Sequence, residues 1–142
     1  MKGMTIIVKT ITRLIAGLIL LYGIYIVAHG HLTPGGGFPG GCVIAGSFIL
    51  FLLAYGKDIV YRRLRKNVIA FFEPFGGFIF LVVALLGAVV GFFFINFLSK
   101  GTPLHLFSAG VIPICNIAIA IKVGSALFAI FVAFLILGRK EE

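Results

Sequence analysis

Residues 78–94 read FIFLVVALLGAVVGFFF, seventeen positions without one charged or hydrogen-bonding side chain. A strand of a membrane barrel alternates apolar with polar residues, and this run does not alternate. It reads as a helix whose whole circumference meets apolar surroundings. Followed outward, the chain stays uncharged from Pro74 to Ser99, more than the roughly 20 helical residues that cross about 30 Å of hydrocarbon.

Three further runs repeat the pattern. Fifteen uncharged residues separate Arg13 from His29, which is short, but a helix that begins earlier and lets Arg13 snorkel to the interface gains the missing length. Seventeen uncharged residues run from Gly40 to Gly56, and Val111–Leu137 is interrupted only by Lys122. The expectation is an all-α integral membrane protein, a single domain over 1–142. Its four transmembrane helices fall at about 6–28, 40–56, 74–99 and 111–137, with an irregular Gly-rich segment between the first and second. Composition agrees, because 61% of the residues are hydrophobic and 11% charged, where soluble domains are about half apolar and a quarter charged. The opening MKGMTIIVKTITRLIAGLILL has the basic start and apolar core of a signal peptide, but no small-x-small cleavage site follows it in IYIVAHGH, so it is retained as the first span.

The net charge is +8. Nucleic-acid binding is excluded as a reading, because the basic residues sit in short clusters between apolar runs and not on one polar face. Their placement fixes an expected orientation, since cytoplasmic ends carry the excess of Lys and Arg. Lys2, Lys9 and Arg13 precede the first span, Lys57, Arg62, Arg63, Arg65 and Lys66 lie between the second and third, and Arg139 and Lys140 end the chain. The opposite side has only Lys100. A multi-pass protein of the cell membrane with both termini cytoplasmic follows, and Asp58, Glu141 and Glu142 fall on the same side, with Glu73 at or just within that boundary.

Few residues offer chemistry. Cys42 and Cys115 both fall near the outer ends of their spans and read as two small buried apolar side chains, not as a disulfide. His29 and His31 are the only close pair of metal-ligand type, short of the paired spacings that zinc needs, and no histidine falls within a span where haem would need it. No nucleophile–base pair stands out. No metal or cofactor is expected, and the chain is not expected to be an enzyme by itself.

Two features stand apart. Residues 30–41 read GHLTPGGGFPGG, six glycines and two prolines in twelve positions, through which neither helix nor strand is expected to persist. No Gly-Lys-Ser/Thr follows, so this is not a phosphate-binding loop. The flanking spans are the shortest, which places part of the segment at membrane depth, where irregular backbone survives only under protein or beside a water-filled cavity. Transporters place ion sites in such interrupted segments. The second feature is Lys122, eleven residues past Val111 and fifteen before Leu137. A cation at mid-membrane costs at least about 2.5 kcal/mol. Its helical neighbours Cys115, Ala118, Ile119, Ser125, Ala126 and Ala129 are mostly small, so this face should pack closely and point into protein. Glu73 is the one acidic candidate within reach of the membrane, yet from the expected start of its helix to the level of Lys122 is on the order of ten residues, about 15 Å. The partner of Lys122 is therefore expected on another subunit.

GHLTPGGGFPGG resembles the glycine-rich signature of the MnhB domain, found in one of the small membrane subunits of the multisubunit Mrp-type sodium/proton antiporters. EPFGG and IPICNIAIAIKVGSALF resemble the third and fourth helices of the same family, including an intramembrane lysine at the position of Lys122. The similarity covers nearly the whole chain. Related subunits occur in archaeal membrane-bound hydrogenases and sulfur-reducing complexes. The resemblance implies a small accessory subunit of a cation-translocating module, with other membrane subunits, the lipid bilayer and sodium ions or protons as partners. Lys122, Glu73, His31 and Asn116 are the candidates for an ion path, and Gly30, His31, Pro34, Gly35, Gly36, Gly37, Phe38, Gly40 and Gly41 form the structural motif. Gly87 and Gly91 make a GxxxG pair for helix packing. The alternative is a purely structural subunit that holds larger neighbours together.

Overall fold

A computed structural model describes residues 4–56, 66–98, 101, 105 and 108–137, with the side chains of 66–70, 136 and 137 left aside. Lys2, Lys57, Asp58, Arg62, Arg63, Arg65, Lys100, Arg139, Lys140, Glu141 and Glu142, on which much of the expected orientation rests, lie outside the described residues. Among the described residues four helices follow one another: α1 Ile6–Ala28, α2 Gly37–Tyr55, α3 Lys66–Val90 and α4 Ile112–Leu137. Each is long and apolar enough to cross a membrane, and no strand occurs among the described residues.

Three boundaries differ from expectation, all near prolines or glycines. α2 begins at Gly37, three residues early, and takes Phe38 and Pro39 into its first turn. Proline is tolerated there because the first N–H groups of a helix have no intrahelical acceptor. The first such bond runs from the Gly40 N–H to the Gly36 carbonyl at 3.2 Å. α3 begins at Lys66 and runs through Pro74, which lacks the N–H that would bond the Ala70 carbonyl. At its other end α3 stops at Val90, nine residues before the expected limit. The apolar run continues, but the chain turns back over the end of its own helix. Phe94 takes φ 62°, its ring lies 5.1 Å from that of Phe80, and a Cβ at Gly87 would stand 2.9 Å from the Ile95 nitrogen. Gly87 thus makes room for this reversal and not for a second helix, and Gly91 lies just beyond α3. The expected packing role of that pair is corrected accordingly.

The helices form a row in the order α1, α2, α4, α3, with a lighter contact between α1 and α4. The buried core is built from small residues, Ala16, Ala45, Ala54 and Ala118 among them, which let apolar helices approach closely. The Ser47 hydroxyl donates to the Ala16 carbonyl at 2.8 Å across the α1–α2 contact. At one end of the row the Met4 N–H donates to the Ala54 carbonyl at 2.9 Å, joining the start of α1 to the end of α2. At the other end His31 Nε2 lies 3.3 Å from the His105 carbonyl oxygen, so the α1–α2 and α3–α4 connections share that side. Asn96 ties the reversal to the start of α4, donating to the Ala109 carbonyl at 3.0 Å and accepting from the Val111 N–H at 3.1 Å.

Candidate functional site

The proposed ion-path residues fall into two groups on opposite neighbours of α4. His31 and Asn116 meet at the glycine turn between α1 and α2. Asn116 lies against the turn, with its Nδ2 2.8 Å from a Cβ position on Gly30 and its Oδ1 3.5 Å from one on Gly36. A side chain at Gly37 would strike the Asn116 carbonyl, and one at Gly41 would come within 2.9 Å of the Ala120 carbonyl oxygen. The missing Cβ atoms bring α2 directly onto α4. Gly40 performs the same service toward Val27 of α1. Gly36, the residue before α2, has φ 119° and ψ −164°, a region essentially reserved for glycine. Gly35 lies beside Ile26, while Pro34 and Phe38 are exposed.

Polar atoms are left over at this turn. If His31 Nε2 carries the ring proton and donates to the His105 carbonyl, Nδ1 is a bare acceptor. Among the described residues that Nδ1 is buried without a partner, and so is Asn116 Nδ2, a donor.

The second group lies in the α3–α4 seam. A Cβ at Gly76 would stand 2.7 Å from the Ala118 carbonyl oxygen, 2.8 Å from the Lys122 nitrogen and 3.0 Å from Lys122 Cβ. One at Gly77 would stand 3.4 Å from Lys122 Nζ. The lysine side chain therefore crosses the strip of α3 left bare by two glycines. It remains exposed on the row, so this chain alone does not enclose it as its small neighbours led one to expect. Glu73 is also exposed. Because α3 starts at Lys66, Glu73 is the eighth residue of the helix and lies within the apolar span Phe71–Val90. The expected separation of about 15 Å is corrected: Lys122 is level with Gly76 and Gly77, three and four residues from Glu73, about 6 Å along the axis at most. The two groups of candidates do not merge, since Asn116 and Lys122 are six residues, about 9 Å, apart along α4 and face different neighbours.

A cavity of about 490 Å³ opens between α1, α2 and α4, with Phe72 of α3 also in its lining, around Ile24, Ile44, Phe48, Ile121 and Phe128. Its one hydroxyl, on Ser125, is engaged with the Ile121 and Lys122 carbonyls at 2.7 and 3.0 Å. This apolar groove offers a cation nothing to replace its water. Cys42 and Cys115 are both free and half-buried. Sequence reasoning missed Gly76, Gly77 and Asn96. The lone Asn in FFFINFL was a visible signal, because an amide within an apolar run needs a partner.

Residues 7–129 match the family model described as a domain related to the MnhB subunit of Na+/H+ antiporter. An uncharacterized protein of Methanocaldococcus jannaschii is 33% identical over 130 residues, covering 84% of this chain and 48% of that protein. The putative antiporter subunit mnhB2 of Staphylococcus aureus strain Newman is 38% identical over 64 residues, 45% of each chain. A chain in the structure of the membrane-bound sulfane sulfur reductase, described as an archaeal respiratory membrane complex, superposes with a TM-score of 0.76 at 34% identity. That match covers 89% of this chain and 56% of the other. The present chain spans about half the length of the curated relatives it matches.

Proposed function

The chain belongs to the family of domains related to the MnhB subunit of Na+/H+ antiporters, and from that premise we propose that it is an accessory membrane subunit of a multisubunit cation/proton antiporter module. In this reading it contributes to a sodium or proton path and to subunit packing, and the likeness to a chain of a sulfur-reducing respiratory complex supports a redox-driven parent. Redox chemistry is then the work of other chains. Both termini are assigned to the cytoplasm on the distribution of basic residues.

The observation that carries the transport reading is Lys122. It lies in the middle of α4 at a seam whose glycines accommodate it, and it is exposed toward whatever covers the row. Ionisable side chains at membrane depth mark ion and proton routes. Lys122→Met, in the assembled complex, is expected to lower cation-coupled proton transport in inverted membrane vesicles at least about tenfold. Lys122→Arg keeps the charge but cannot readily deprotonate, so its rescue or failure separates a fixed charge from proton exchange. Full coupled transport by Lys122→Met would remove the lysine from the path.

A second reading, a structural subunit that scaffolds larger neighbours, draws on the wide exposed apolar faces of α1 and α3, where Ile6, Leu14, Leu21, Phe78 and Val89 are all more than half exposed. Loss of assembly in Lys122→Met would favour it.

A further inference from the structure

Glu73, Gly76 and Gly77 share one face of α3, spaced three and four residues apart. Gly76 and Gly77 are the two positions that the Lys122 side chain crosses, from its Cβ at the first to its Nζ at the second. On that stripe Glu73 is the next side chain toward the start of α3, within one helical turn. Among the described residues it is the only acid on any element packed against α4. Neither charged group has an ion-pair partner among the described residues. Helical side chains lean toward the N-terminus of their own helix, so on antiparallel α3 and α4 the carboxylate and the ammonium lean apart. Both are long, rotamer-rich side chains whose Cα atoms lie within about one helical turn along the seam.

We propose that Glu73 is the counter-ion of Lys122 within this chain, and that the pair makes the α3–α4 seam an exchange site for a small monovalent cation. In the arrangement seen here the Lys122 ammonium lies by Gly77 and the Glu73 carboxylate is left open to a proton or sodium ion. When Lys122 swings back along the bare glycine strip onto the carboxylate, it expels the ion. No bond to carbon changes. The exchange step rests on the transport reading above, whereas the pairing does not. An unpaired charge at membrane depth is costly, and removing one partner of a pair there strands the other. Removing both leaves nothing stranded.

The test uses the whole complex in its native membrane, with Glu73→Gln, Lys122→Met, the double variant and the swapped Glu73→Lys/Lys122→Glu variant. Two quantities are measured in each: the amount of intact complex on native gels, and coupled transport per assembled complex. Pairing is expected to lower intact complex at least about threefold in each single variant and to restore most of it in the double and swapped variants. Losses that multiply in the double variant, or a Glu73→Gln complex as abundant as wild type, would overturn the pairing, while the transport reading stands or falls separately on Lys122→Met. Transport is expected to be absent from the restored double variant. A restored complex that still transports would overturn the exchange step and leave the pair a structural contact.

Discussion

A methyl group at Gly76 would stand 2.7 Å from the Ala118 carbonyl oxygen and 2.8 Å from the Lys122 backbone nitrogen, whereas at Gly77 the nearest atom is the movable Nζ of Lys122 at 3.4 Å. Backbone cannot step aside as a flexible ammonium can. Gly76→Ala should therefore push α3 off α4 at a cost of about 1–3 kcal/mol, and Gly77→Ala should be close to neutral. Heating membranes stepwise before native electrophoresis will show it: the Gly76→Ala complex should dissociate at lower temperature, and equal behaviour of the two variants would contradict the seam. Lys122 itself stood out in the sequence, because a lone cation more than two turns from either end of an apolar run is too deep for an ordinary snorkelling lysine. Its surroundings did not. With the third helix expected to begin at Pro74, Glu73 falls about 15 Å from the level of Lys122, whereas α3 begins at Lys66 and its Gly76 and Gly77, three and four residues past Glu73, lie against the lysine.

At the level of elements, the short connection before α2 depends on Gly36, whose φ of 119° and ψ of −164° cost a side-chain-bearing residue about 1–3 kcal/mol. Space is not the limit there, since a Cβ would meet only Asn116 Oδ1 at 3.5 Å. Gly36→Val should lower intact complex or its transport, and Gly36→Ala should lower it as well, because both adopt the same strained backbone. Undiminished function in the Gly36→Val, Gly37→Val double variant would return the turn before α2 to the status of an ordinary surface loop. The existence and number of helices followed from uncharged runs, and the limits of α1 and α4 agree with expectation to within a residue. Where α2 and α3 begin, and where α3 ends, could not be read. An apolar turn such as GFFFIN has the same composition as the end of a helix, and the close approach of Ile95 to Gly87 marks it as a turn.

For the whole molecule, an even number of spans and the shared side of the two connections make orientation a single binary question. In a background with Cys42 and Cys115 replaced by alanine, a cysteine at exposed Thr33 should react with an impermeant thiol reagent added outside intact cells. One at exposed Thr5 should be spared until the membrane is opened. The opposite pattern would invert the assignment of both termini to the cytoplasm. The order of the row, α1, α2, α4, α3, also bears on biogenesis. A ribosome delivers the chain from its N-terminus, so α1 and α2 can pack as soon as both are made. α3 emerges next with its principal neighbour still unsynthesised, its acid at Glu73 already in the bilayer and the lysine that would face it not yet translated. Until the last helix packs between the early hairpin and the waiting third span, Glu73 stands without the lysine we pair it with, so the final helix brings both the seam and its opposite charge in a single step.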